Sequence, residues 1–271
     1  MIDTIDLTCD MGESYGNFRH GADEQLMPYI SSANVACGFH AGDPVHMDRT
    51  VKLAKHHAVS IGVHFGLPDV AGFGRRRMDI SSEEARAMTL YQIGALQAFA
   101  NAHKVKIGHV LPHGVLYSML AEETIARAVL SAIVDSNREW ILFWPTPLQR
   151  HNFYMMAEHE GLRVVPAITI DLDYRADGSV IVERIKQARD PSAVSDRLQR
   201  FIETGKLATV DGTDMEFQAG AIIFHGDGPN AVDLARAIRA TLDRMGIKVM
   251  AAATTTGQNR GRSSADRQLR A

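Results

Sequence analysis

Five turns in this chain carry a histidine or an aspartate, and each follows a short apolar run. Cys9-Asp10-Met11-Gly12-Glu13 follows Ile5-Asp6-Leu7-Thr8, Cys37-Gly38-Phe39-His40 follows Ala33-Asn34-Val35-Ala36, and His64-Phe65-Gly66 follows Val59-Ser60-Ile61-Gly62-Val63. Pro112-His113-Gly114 follows Ile107-Gly108-His109-Val110, and His225-Gly226-Asp227 follows Ala221-Ile222-Ile223-Phe224. Imidazoles and carboxylates transfer protons or hold divalent metals. Asp10 and Glu13 share one turn, where either could be a general base, a ligand for a metal or ammonium group, or a helix cap. With Asp10, the similarly placed His40 and His64 make a two-histidine, one-carboxylate set that suits a catalytic metal, with metal-free acid–base chemistry as the alternative. His113 is aimed by a stiff Pro–His–Gly turn, and Asp227 stands near His225, where an acid could fix a tautomer. Arg75-Arg76-Arg77 could clamp a carboxylate or phosphate, or form a solvated basic loop.

Groups so far apart in sequence act together only if the strand ends converge. Parallel α/β barrels and sheets achieve this at the carboxyl ends of their strands. The stretches between the runs read as helices. Asp43-Pro44 opens one through about His57, and Ser81 with Glu84 opens the longest, to about His103, with a capping-box pattern. Further helices are expected over Glu122 to Asn137, Leu148 to Glu160, from Asp190-Pro191, and over Asn230 to Met245, with a hairpin turn at Val210-Asp211-Gly212-Thr213. Strands joined by helices imply right-handed crossovers, and about seven such units favour closure into a (β/α) barrel over an open sheet. The expected organisation is one catalytic domain over residues 1–250 and a disordered tail over 251–271, where small polar residues lose all periodicity.

Composition narrows the function. The chain has 271 residues, 45% hydrophobic and 23% charged, with a formal net charge of -3. No basic stripe interleaved with aromatics points to nucleic acid, and no apolar run approaches the roughly 20 residues of a membrane span. The first residues lack a signal-peptide pattern, so the cytoplasm is the expected compartment. Two cysteines, Cys9 and Cys37, are too few for a disulfide framework and read as small buried residues rather than catalytic thiols. Neither a dinucleotide fingerprint nor a Gly-x-x-x-x-Gly-Lys-Ser/Thr phosphate loop is present.

The same residues carry a family resemblance. Asp10-Met11-Gly12-Glu13, the block from Ser31 to Asp43, Gly72-Phe73-Gly74-Arg75-Arg76, Tyr91 to Leu96, Pro112-His113-Gly114, Val210 to Thr213 and His225-Gly226-Asp227 resemble the LamB/YcsF family, in order, over nearly the whole chain. The resemblance is to proteins of the 5-oxoprolinase A-subunit type. It implies a distorted barrel similar to the polysaccharide-deacetylase-like superfamily, and ATP-dependent opening of a cyclic amide together with partner subunits B and C. It implies a catalytic set of Asp10, Glu13, His40, Asp43, His64, His113 and Asp227, with Asn34, Arg75, Arg76, Leu111 and Leu172 at the substrate. Leu111 stands where the family usually has Lys, Phe65 where it usually has Pro, Ala167 where it has Glu, and Leu172 where it has Arg. Loss of those charges suggests a divergent member acting on a less charged lactam. Two other readings stand beside it: a stand-alone metal-dependent amidohydrolase or deacetylase, and a non-catalytic subunit of a hydrolase complex.

Overall fold

Apolar runs ended by turns form the strands β1 (Thr4–Met11), β2 (Ser32–Ala36), β3 (Ser60–Phe65), β4 (Ile107–Pro112), β5 (Ile141–Trp144) and β6 (Arg163–Thr169). A hairpin of β7 (Lys206–Ala208) and β8 (Asp214–Glu216) follows, then β9 (Ala221–Phe224) and the short β10 (Lys248–Val249). The computed structural model describes residues 2–144 and 152–257. β1 to β6 pair in parallel in chain order, β6 pairs with β9, and β9 returns to β1 with Asp6 opposite Ala221. The result is a closed seven-stranded parallel barrel, as expected from the alternation of runs and helices, with β10 added beside the start of β1.

The helices are α1 (Asp23–Leu26), α2 (Pro44–His56), α3 (Ser82–His103), α4 (Gly114–Met119), α5 (Glu123–Ser136), α6 (Asn152–His159), α7 (Pro191–Thr204) and α8 (Ala231–Arg244). Their starts follow local chemistry. The Asp43 side chain accepts from the amides of Val45 and His46 ahead of α2, and Ser81 and Glu84 form a reciprocal capping box ahead of α3. The expected beginning of α6 near Leu148 lies outside the described residues.

Strand alternation divides the buried residues into two sets. Ile5, Leu7, Cys9 and Met11 of β1 join the large apolar shell between barrel and helices, with Val110, Leu142, Ile168 and Ile222. The alternate residues face inward, and the pairing register puts them in layers: Asp10 opposite Asn34, Asn34 opposite Gly62, Gly62 opposite His109. The interior has two unlike halves. On β1 to β3 it is polar, with Asp6, Thr8, Asp10, Ser32, Asn34 and His64 all buried. From Leu111 round to β9 it is apolar, a separate cluster that includes Leu111, Phe143, Val165, Ala167 and Ile223.

Ordered packing extends beyond the boundary expected at residue 250. Ala252 joins the apolar interior cluster, and its amide donates to Asp6 Oδ2 at 2.8 Å. Asp6 also accepts from Ser31 and Ser32, so the amino-terminal end of the barrel is held by one carboxylate. Small residues allow this segment to enter, although in sequence it shows only missing periodicity. Residues 258–271 of the expected tail lie outside the described residues.

Candidate active site

The carboxyl ends of the strands bring Asp10, Glu13, His40, His64 and His113 together, all of them buried. Asp10 ends an inward row of β1, and Asn34 Nδ2 donates to its Oδ1 at 2.9 Å. Asn34 Oδ1 accepts from Thr8 Oγ1 at 2.9 Å and lies 2.9 Å from His109 Nε2. Both polar side-chain atoms of Asn34, expected at the substrate, thus have partners within the protein, and one of them holds Asp10. His109 reaches Asn34 over Gly62, where an added Cβ would stand 2.1 Å from the ring. The sequence reading misses His109; the glycine inside an otherwise apolar strand is the signal that marks it.

The tautomers of His64 and His113 follow from their acceptors. His64 Nδ1 is 3.0 Å from the Leu111 carbonyl, His113 Nε2 is 2.9 Å from the Phe73 carbonyl, and His64 Nε2 is 2.8 Å from His113 Nδ1. A carbonyl oxygen only accepts, so each outer nitrogen carries a proton, and a third proton lies between the inner nitrogens. Three protons on two imidazoles give the pair one positive charge. Burial, then His40 and His64, hold His113 well below the usual imidazole range. His64 Nε2 is also 3.4 Å from Asp10 Oδ2. Burial alone would raise Asp10, but His64, His225 and His113 outweigh it and hold the carboxyl well below the usual range.

His40 and Glu13 behave differently. The His40 ring stacks on His113 at 3.7 Å between centroids, and Gly66 and Gly74 leave the room for it: a Cβ would stand 2.8 Å and 2.7 Å from His40 atoms respectively. Neither His40 nitrogen nor Glu13 Oε1 has a hydrogen-bond partner, although His40 Nε2 and Glu13 Oε1 are 3.8 Å apart. Burial, with His64 and Arg75 nearby, pushes His40 toward its neutral form. Burial, with Asp10 and Asp227 nearby, pushes Glu13 toward its protonated form. One donor atom from each of Glu13, His40, His64 and His113 lies within 4.8 Å of the others, a group that could hold a divalent ion. This group shares His40 and His64 with the expected ligand set of Asp10, His40 and His64, and Asp10 Oδ2 lies 3.4 Å from His64 Nε2 beside it.

Across the barrel mouth, His225 Nδ1 lies 3.0 Å from Asp171 Oδ2, and the His225 amide donates to the same oxygen at 3.1 Å. The Nδ1 proton therefore points at Asp171, and Nε2 faces the cleft 3.8 Å from Asp10 Oδ2. Burial would raise Asp171, but Lys186 and His225 hold it well below the usual carboxylate range. Asp171 and Lys186 lie between β6 and α7, outside every strand and helix, so only the fold reveals them. Leu111 and Leu172 line the same cleft as Asp10, His64, His113 and His225.

The remaining expected residues have partners of their own, and Arg75 also lines the cleft. Asp43 spends both oxygens on Val45, His46 and the Gly16 amide, capping α2 and tying down the loop after β1. Arg76 is largely exposed and pairs with Asp69. Arg75 Nη2 donates to Asp227 Oδ2 at 2.6 Å, so these two join the loops after β3 and β9 to one another. Cys9 and Cys37 are buried, and burial pushes the Cys37 thiol up to about 12, away from the thiolate form.

A model of the LamB/YcsF family matches residues 5–257. The chain is 43% identical over 249 residues to the 5-oxoprolinase A subunit of Pyrococcus abyssi, covering 91% of this chain and 96% of that protein. It is 43% identical over 253 residues to the 5-oxoprolinase A subunit of Shouchella clausii, covering 92% and 99%. The crystal structure of a lactam utilization protein from Thermus thermophilus superposes with a TM-score of 0.82 at 38% identity, over 92% of this chain and 99% of that one. By sequence and by fold, this chain belongs to the LamB/YcsF family.

Proposed function

We propose that this chain is a hydrolase component that opens a cyclic amide, working with ATP and with partner subunits of the B and C type. The names of its relatives support a role in lactam use and, through the word subunit, an assembly. The observation that carries the chemistry is that two differently prepared imidazole systems face one cleft. His225 has its Nδ1 proton directed to Asp171 and presents Nε2, whereas His64 and His113 share one positive charge beside Asp10.

A lactam is a stable amide, and opening it requires a proton removed from water and a proton delivered to nitrogen. In this reading His225 Nε2 takes the proton of a water held between it and Asp10. The water oxygen bonds to the carbonyl carbon, the ring carbon–nitrogen bond breaks, and the His64–His113 pair protonates the departing nitrogen. Asp10 stabilises that pair while it is charged, and Asn34 keeps Asp10 in place. The chain has no phosphate-loop motif, so no step with ATP is assigned to its residues, and carbonyl activation falls to the assembly. The test is release of a primary amine from 5-oxoproline by the full chain reconstituted with its B- and C-type subunits. Turnover that falls at least about a hundredfold with His225→Gln supports the reading. Turnover at the wild-type rate in that variant removes His225 from the chemistry and favours a non-catalytic role.

A second reading has its own observation, the unpartnered atoms of buried Glu13 and His40. Their donor types suit a divalent ion, which Glu13, His40, His64 and His113 would hold and which would polarise the carbonyl. Metal bound in stoichiometric amount, with hydrolysis that needs no ATP, would select it.

A further inference from the structure

The block from Tyr91 to Leu96 on α3 serves the barrel with only part of its residues. Ile93 and Leu96 are buried in the core, and Gln92 braces the turn after β3, 2.9 Å from both the amide and the carbonyl of Gly66. Tyr91 and Gly94 face the other way. Tyr91 is 66% exposed, and its ring stacks on Phe39, in the turn that carries His40, at 5.2 Å. Gly94 is exposed, and among the described residues nothing lies within 4 Å of an added Cβ. Glycine weakens a helix relative to alanine, and no neighbour here requires it. The exposed face continues through Ala87, Ala98 and Ala102. The sixteen residues from Ala87 to Ala102 include no Asp, Glu, Lys, Arg or His, whereas a helix whose outer face meets only water carries charge there. The charges stand at the two ends instead. Glu83 is exposed one turn before Ala87, and Lys104 and Lys106 are exposed just beyond the last turn. None of the three is in an ion pair among the described residues.

We infer that the outer face of α3 docks a second copy of this chain, with the two helices antiparallel about a two-fold axis between Gly94 and Ala95. A closed two-fold contact requires one face that complements itself. This axis sets the Tyr91 ring against Ala98 of the second copy and Ala87 against its Ala102, with Gly94 at the crossing, where the backbones come closest. It also brings Glu83 to Lys104 and Lys106 of the second copy, and does so twice. A parallel pairing would set like charges against each other, so the charges select the antiparallel one. The inference does not depend on the lactam reading. The contact adjoins the site through Phe39 and Gln92, which lie in or brace the turns around His40.

The experiment is sedimentation of the full chain, joined to cross-linking with a short bis-maleimide. Wild type is expected at twice the 29.8 kDa of one chain. Ala98→Arg places like charges on both sides of the crossing and is expected to weaken the dimer about a hundredfold or more, with an unchanged circular dichroism spectrum. Cysteines at positions 87 and 102 of the same chain should link two copies. A cysteine at 87 alone should not, because the two-fold sets its copies about 22 Å apart along the helices; the buried Cys9 and Cys37 do not react. A monomeric wild type overturns the proposal, as does a dimer that Ala98→Arg leaves intact. Ready linking of Ala87→Cys alone overturns the antiparallel two-fold. A monomer that binds its B- and C-type subunits, and loses them with Ala98→Arg, overturns the second copy and gives the face to a partner.

Discussion

The two halves of the barrel interior differ in what their side chains leave undone. On and just after β1 to β4, Thr8, Asp10, Asn34 and His109 form one hydrogen-bonded set, His64 and His113 form another, and Asp10 lies 3.4 Å from His64 between them. From Leu111 round to Ile223 the interior is apolar, and the polar groups above it, Asp171, Lys186 and His225, sit on loops at the mouth. The lesson is a division of labour. One half is interlocked by hydrogen bonds among strand residues, and the other is apolar, with its polar groups supplied by loops over the opening.

Breaking the interlocked half is expected to have the largest effect. Asp10→Asn removes the charge that balances the His64–His113 pair and is predicted to lower kcat by about 10²–10⁴-fold while leaving the circular dichroism spectrum unchanged. On the apolar side, Leu111→Lys places an uncompensated charge in the interior cluster. It should destabilise the protein by about 3–5 kcal/mol in urea unfolding. Adding Ala167→Glu should recover part of that loss if the two positions answer one another; an additive loss would show that they do not. Gly62→Ala drives a methyl into His109 and is predicted to cost about 1–3 kcal/mol, relieved when His109 is also made alanine. The smallest effect is expected at Asp43, which the resemblance places among the catalytic residues. Asp43→Ala should cost about 1 kcal/mol of stability through the lost cap of α2 and change kcat little.

How much of this was legible in the chain depended on distance. The barrel and its helices follow from local signals: apolar runs, the Asp43-Pro44 start and the Ser81–Glu84 box, all of which appear where expected. Asp10, Glu13, His40, His64 and His113 could be picked out because each stands near the carboxyl end of an apolar run, in the last residues of the strand or in the turn after it, and the barrel brings those ends together. For Asp43 and Arg76, adjacency in sequence does not say which partner the side chain takes; the structure gives Asp43 the first amides of α2 and Arg76 the Asp69 carboxylate. Lys186 and Asp171 were illegible because they lie in an irregular stretch whose position is set by tertiary contacts alone. Ala252 shows the same limit at the other end of the barrel, where small residues without periodicity fill space that only the closed barrel defines.

The central claim is that the cleft of this family member is prepared for a lactam by imidazoles that need no metal to fix their protonation. Thermal unfolding of the chelator-treated full chain, with 5-oxoproline or with zinc or manganese added alone, tests it most directly. On this claim 5-oxoproline raises the unfolding temperature without added metal; a ligand at a hundred times its Kd adds about 2.7 kcal/mol. Stabilisation by metal alone, with 5-oxoproline silent until metal is restored, would contradict it and place the chemistry at Glu13 and His40 instead.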